Sequence, residues 1–136
     1  MQDIAAYLAI LTVYVSLNLT WVSLVALDLY RRELATLLLE KPRAPPAGLF
    51  YLLHAAGVLV LAVQPALARG DWRTATLHGA LFGLCTYGTY DLTNAATLRR
   101  WPGTLMILDL ACGVLLTALA AAAGFFAART MGAGAP

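Results

Sequence analysis

The chain has 136 residues, is 61% hydrophobic and 12% charged, and carries a net charge of +2. Soluble domains run at about 45–50% apolar and about 25% charged, and a chain this short has too much surface for its volume to hide the excess from water. A soluble globular enzyme, a disordered chain and a disulfide-stapled secreted domain are thereby excluded, and a charge of +2 gives no argument for a nucleic-acid partner.

What remains is a polytopic membrane protein. A crossing helix needs roughly 20 apolar residues to cover about 30 Å of hydrocarbon. Four stretches meet that need, at 4–28, 47–68, 74–94 and 103–128. The predicted fold is all-α: one domain over 1–130, an antiparallel four-helix transmembrane bundle, followed by a disordered tail over 131–136. The first stretch exceeds the apolar core of a signal peptide and has no Lys or Arg before it, so it reads as a retained span.

In the first span, Tyr7, Leu11, Tyr14, Asn18, Trp21, Val25 and Asp28 follow a 4-3-4-3 spacing that places them on one face, toward the bundle. Residues 30–41 continue as an amphipathic stretch, with Leu34, Leu37 and Leu38 opposite charged residues, which predicts a short interfacial helix. Pro42, Pro45 and Pro46 end it. Trp72 and Trp101 stand beside span ends and suit the aromatic belts of the two interfaces. The third span carries Gly79 and Gly83 in a GxxxG spacing that lets another helix approach closely. Its partner is either a helix of the same chain or a second copy in a homodimer, and Gly113 of the fourth span is a further helix-packing candidate. Cys85 and Cys112 read as small hydrophobes.

The basic residues divide unevenly. Arg31, Arg32, Lys41, Arg43, Arg99 and Arg100 fall in the first and third connections, against Arg69, Arg73 and Arg129 on the other side. Excess positive charge stays in the cytoplasm. The expected location is a bacterial inner membrane, with both termini outside.

Two acidic residues lie inside spans, where a charge is costly and tends to mark function. Asp91 shares a face with Gly83, Tyr87 and Asn94, and Asp109 shares one with Gly113 and Thr117. At 1.5 Å per residue they lie about 5 Å and about 9 Å inside the cytoplasmic edge, on neighbouring helices. Two close carboxylates resist joint ionisation, so the pair could hold or relay a proton. The structural alternative has Asp91 serving the turn between the third and fourth spans. His54 and Tyr51 approach from the same edge, and Asn18 and Trp21 come from the first span. Together these residues predict a polar pocket open to the cytoplasmic half. Asp91 and Asp109 would bind or move a proton, Tyr87, Asn94 and Asn18 would orient the ligand, and Trp21 would line the apolar end.

No cofactor is predicted. The two histidines, His54 and His78, differ in depth by about 14 Å, too far apart for axial ligands of one haem, and no spaced His or Cys motif supports a metal site. No serine elbow, phosphate loop or nucleotide fingerprint is present. The expected partners are membrane lipids, with a homodimer or a membrane partner as further options. A proton-coupled transporter or channel subunit and a structural subunit of a larger complex are the competing functions, and whether the protein is an enzyme stays open.

The run Tyr90-Asp91-Leu92-Thr93-Asn94-Ala95-Ala96-Thr97-Leu98-Arg99, followed by Trp101-Pro102, is distinctive. So is Phe50-Tyr51-Leu52-Leu53 leading to Pro65-Ala66-Leu67. With Trp21, Tyr30-Arg31 and Leu108-Asp109, these segments resemble the bacterial membrane protein family catalogued as domain of unknown function 2177, over nearly the whole chain. The resemblance implies a small four-helix inner-membrane protein without an assigned activity. It also implies an association with lipid-modifying enzymes, which inclines the ligand toward lipid. Asp91, Asn94 and Asp109 match the family pattern. Asn18 stands where that pattern favours Asp, His54 where it favours Tyr, and Cys112 where it favours Trp, so a role needing a carboxylate at position 18 or a histidine at position 54 does not carry over.

Overall fold

Helix follows helix through the described chain, and most of the boundaries have a local cause. The computed structural model describes residues 1–35, 39 and 41–132. Helix α1 runs Gln2–Glu33, α2 Ala44–Arg69, α3 Trp72–Thr97 and α4 Gly103–Gly132. Pro45 and Pro46 stand in the first turn of α2, where a missing amide hydrogen costs nothing. Gly70 ends α2 with φ +69°, a left-handed conformation that suits glycine. Asp71 then caps α3, accepting a hydrogen bond from the Arg73 amide at 3.1 Å.

Three of the four helices, α1, α2 and α4, are long and apolar enough to cross a membrane. At 26 residues α3 is long enough, but it carries His78, Thr86, Thr89, Asp91, Thr93 and Asn94. The helices run past the predicted ends because the turns flanking each apolar core stay helical. Met131 and Gly132, expected in the tail, belong to α4, where Gly132 lies against Gln2; residues 133–136 lie outside the described residues. The interfacial helix expected over 30–41 is not seen as such. Tyr30–Glu33 continue α1 as ordinary α-helix, Leu34 leaves it at φ −126°, and Thr36, Leu37, Leu38 and Glu40 lie outside the described residues.

Small residues set the packing. A Cβ on Gly79 would lie 2.6 Å from Ala121 Cβ, and one on Gly83 would lie 2.5 Å from the Gly113 carbonyl oxygen. The GxxxG face of α3 is therefore filled by α4 of the same chain and offers no room to a second copy. Gly124 of α4 admits Ile10 of α1 in the same way. In both pairs residue numbers rise along one helix as they fall along the other. The core gathers Ile10, Tyr14, Val58, Val63, Leu116 and Phe125 around alanines of all four helices.

Two π-helical turns alter the faces that the sequence pattern predicts. In α1, Val22–Ala26 form one, and the extra residue advances the inward face by one position. Tyr14 and Asn18 are buried as expected, but Val25 and Asp28 point outward, and Ala26 with half-buried Tyr30 takes the inner face. In α2, Leu59–Val63 form the other, just before Pro65. Proline lacks the amide hydrogen that would serve the carbonyl four residues back. That carbonyl, on Leu61, is instead 3.2 Å from Nδ1 of His78 on α3, which gives His78 a structural task.

Candidate functional site

A cavity of about 950 Å³ lies between α1, α2 and α3, and Asp109 of α4 reaches into it. It occupies the end of the molecule where α1 and α3 finish and α2 and α4 begin, next to the two basic connections. Asn18, Trp21, Ala26 and Tyr30 form its α1 wall, and Phe82 and Tyr87 belong to the α3 wall. Phe82 comes close to α2 because Gly57 has no side chain: a Cβ there would lie 2.5 Å from the ring. Some lining residues are also exposed, and these mark the mouth. Leu49 and Leu53 on α2 are 57% and 63% exposed, and Cys85 and Thr89 on α3 are exposed as well. Each pair is spaced i, i+4, so the mouth is a slot running lengthwise between α2 and α3.

A chain of hydrogen bonds crosses the inner part of the cavity. The Tyr51 hydroxyl donates to Asn18 Oδ1 at 2.8 Å. Asn18 Nδ2 donates to the Tyr87 hydroxyl at 3.1 Å. Tyr87 in turn shares a hydrogen bond with Tyr14. One amide, with an acceptor end and a donor end, thus links a residue of α2 to a residue of α3. Tyr87 fits because Gly113 faces it: a Cβ there would lie 2.3 Å from the ring. His54 stacks on Tyr14 with centroids 4.2 Å apart, and its Nε2 is 3.1 Å from Thr117 Oγ1 on α4. Four helices are therefore tied together by buried polar groups whose bonds are mutually satisfied.

The two acids, Asp91 and Asp109, have different surroundings. Asp109 lines the cavity, and its Oδ2 accepts a hydrogen bond from Tyr30 at 2.5 Å. The π turn in α1 is what brings Tyr30 to that position. Asp91 is fully buried and does not line the cavity. Its Oδ1 accepts from the Trp101 indole at 3.1 Å, and its Oδ2 has no partner among the described residues. Each carboxylate thus has its own aromatic donor, and Asp91 serves the connection between α3 and α4. Asn94 is half-buried and has no place in the cavity wall. Among the described residues, no three His, Cys, Asp or Glu side chains gather into a group that could hold a metal ion.

Several members of this arrangement were not singled out as site residues from sequence. Tyr14 and Thr117 do share faces with Asn18 and Asp109, which was the available signal. Tyr30 and Trp101 stand at helix ends, where aromatic residues suit the interface equally well, and only the three-dimensional structure links them to the acids. Cys85 lines the mouth, and Cys112 is half-buried; both are free thiols.

A family model described as "Predicted membrane protein (DUF2177)" matches residues 3–126. No curated protein and no solved structure matches the chain.

Proposed function

We propose that this chain, which belongs to the DUF2177 family of predicted membrane proteins, is an antiparallel four-span bundle that binds, or helps to process, a lipid or small amphipathic molecule in an intramembrane cavity. The observation that carries this reading is the cavity itself. Its volume of about 950 Å³ is in the range of sites built for small ligands, about 300–1,000 Å³, and such sites combine apolar walls with a few placed polar groups. Here the apolar walls come from Trp21, Leu49, Leu53 and Phe82, and the polar groups are Asn18, Tyr87 and Asp109.

Helix α3 also crosses, as the third of the four spans, with Asp91 buried and Tyr87 set against Gly113 of α4 rather than toward lipid. Arg31 and Arg32 at the end of α1, with Lys41, Arg43, Arg99 and Arg100 in the first and third connections, favour a cytoplasmic cavity end and both termini outside. Asp109 anchors the polar part of the ligand, with Tyr30 holding the carboxylate in place. Asn18 and Tyr87 fix the inner wall. Asp91 supports the site from behind by fastening the α3–α4 connection through Trp101. An oligomeric pore would need a contact face other than Gly79 and Gly83, so the transporter alternative draws less support.

The test compares lipids that copurify with the parent protein and with Asp109→Asn and Leu53→Trp, by mass spectrometry of mild-detergent extracts. The expected result is one lipid class retained by the parent and depleted by both substitutions. Identical lipid content in folded variants would refute the reading. Impermeant labelling of cysteines placed at Arg43 and Arg129 tests the orientation: only the second should react from outside.

A further inference from the structure

The geometry points to a single-chain lipid whose head donates a hydrogen bond and bears no negative charge, entering sideways between α2 and α3. This inference rests on the cavity reading above and adds the chemistry of the occupant. Three observations support it. First, Asp109 is the one charged side chain among the described residues that line the cavity, and the basic residues of the neighbouring connections do not reach it. A phosphate or carboxylate head would face a carboxylate in a medium that screens poorly. A hydroxyl or an ammonium would find an acceptor.

Second, most of the other polar groups in the wall are already engaged. Asn18 uses both ends on Tyr51 and Tyr87, and Tyr87 is also bonded to Tyr14. His54 has Thr117, and the hydroxyls of Thr86 and Thr89 turn back to carbonyls of their own helix. Asp109 accepts from Tyr30, with the Trp21 indole also turned toward it, and a carboxylate can accept several. Recognition of the head therefore centres on Asp109, beside the hydroxyls of Tyr30 and Tyr90.

Third, the shape suits one chain. At about 30 Å³ per water-sized group, the volume holds roughly 30 such groups, enough for a long chain with a small head and too little for two chains. The wall on α2 extends from Pro46 to His54, about 12 Å along the helix axis. Asp109 stands at the end nearest the basic connections, so the tail would run toward the middle of the bilayer, the orientation a lipid already has in its leaflet. The lengthwise mouth between Leu53 and Cys85 would let it pass without leaving the hydrocarbon.

The experiment uses three probes with one dibrominated C18 chain and different heads: an alcohol, an amine and a carboxylate. Bromine quenches tryptophan fluorescence, and Trp21 lines the cavity. With the whole protein in maltoside micelles at pH 8, the alcohol, the amine or both should quench saturably at concentrations at least tenfold lower than the carboxylate. Asp109→Asn should reduce that preference below threefold, and Leu53→Trp should weaken all three probes at least tenfold. Equal or tighter binding of the carboxylate by the parent protein would overturn the assignment of the head while leaving a cavity that binds lipid. A preference that persists in Asp109→Asn would also overturn it. Failure of all three probes to saturate would overturn this inference together with the cavity reading. The parent series decides the sign of the preference even if Asp109→Asn does not fold.

Discussion

Replacing Gly113 with alanine should disconnect the hydrogen-bonded chain without substituting any of its members. The added Cβ would lie 2.3 Å from Tyr87 Cγ and Cδ2 and 2.7 Å from Cδ1. Ordinary carbon contacts are about 3.5–4.0 Å, so the ring must move by more than 1 Å. Its hydroxyl then leaves both Tyr14 and Asn18. Overpacking costs about 1–3 kcal/mol, and two hydrogen bonds are worth about 1 kcal/mol each. Alanine returns about 1 kcal/mol over glycine within a helix. The net destabilisation is about 2–4 kcal/mol. Reversible unfolding in mixed maltoside and dodecyl sulfate micelles, followed by tryptophan fluorescence, measures it. A second substitution locates the cause. In a Tyr87→Ala background the ring is gone, so Gly113→Ala should become neutral or stabilising. Gly83→Ala should keep its cost in that background, since its Cβ meets the Gly113 backbone oxygen rather than a side chain. A Gly113→Ala protein within about 0.5 kcal/mol of the parent, a surface-like effect, would refute the reasoning. So would a cost that survives removal of the Tyr87 ring.

Three further outcomes follow from the hydrogen-bond pattern. Asn18→Ala leaves the Tyr51 hydroxyl without its acceptor and Tyr87 without a donor, and should cost about 1–3 kcal/mol in the same unfolding assay; no change would mean that water replaces the amide. Trp101→Phe removes the donor to buried Asp91 and should cost about 2–3 kcal/mol, while Asp91→Leu in that background should recover part of it. His78→Leu should cost about 1 kcal/mol in the parent and much less alongside Pro65→Ala, because alanine restores the amide that serves the Leu61 carbonyl; equal costs in the two backgrounds would sink that account.

The positions of the helices were legible because apolar runs of roughly 20 residues have few soluble explanations. The close approach of α3 was legible too, since Gly79 and Gly83 repeat at a helical interval; that α4 rather than a second copy fills it depends on the match with Gly113 and Ala121 in space. The faces were only partly legible. A constant helical period reads Tyr14 and Asn18 correctly, then assigns Val25 and Asp28 to the interior, because nothing in Val22–Ala26 announces an inserted residue. In α2 the comparable insertion does have a mark, Pro65. The acids show a different limit. Their depth can be counted along each helix, but their donors cannot: Tyr30 reaches Asp109 across 79 positions in sequence, and Trp101 reaches Asp91 from the following connection. Similar depth on neighbouring helices points to a pair, and the structure adds a separate aromatic donor for each member.

The π turn in α1 also changes how substitutions along that helix should combine. Upstream of Val22, inward positions keep one phase, and downstream they keep another, offset by about 100° of helix rotation, the angle of one residue at 3.6 per turn. The helix behaves like two cogs on a slipped shaft. Deleting one residue within Val22–Ala26 would remove the offset and leave Tyr30 on its inward face, whereas adding one between Ala26 and Tyr30 would swing Tyr30 about 100° away from Asp109, while the side chains from Tyr7 to Trp21 kept their places. The inner hydrogen-bonded chain and the acid at the cavity end can thus be uncoupled by a change that replaces no member of either.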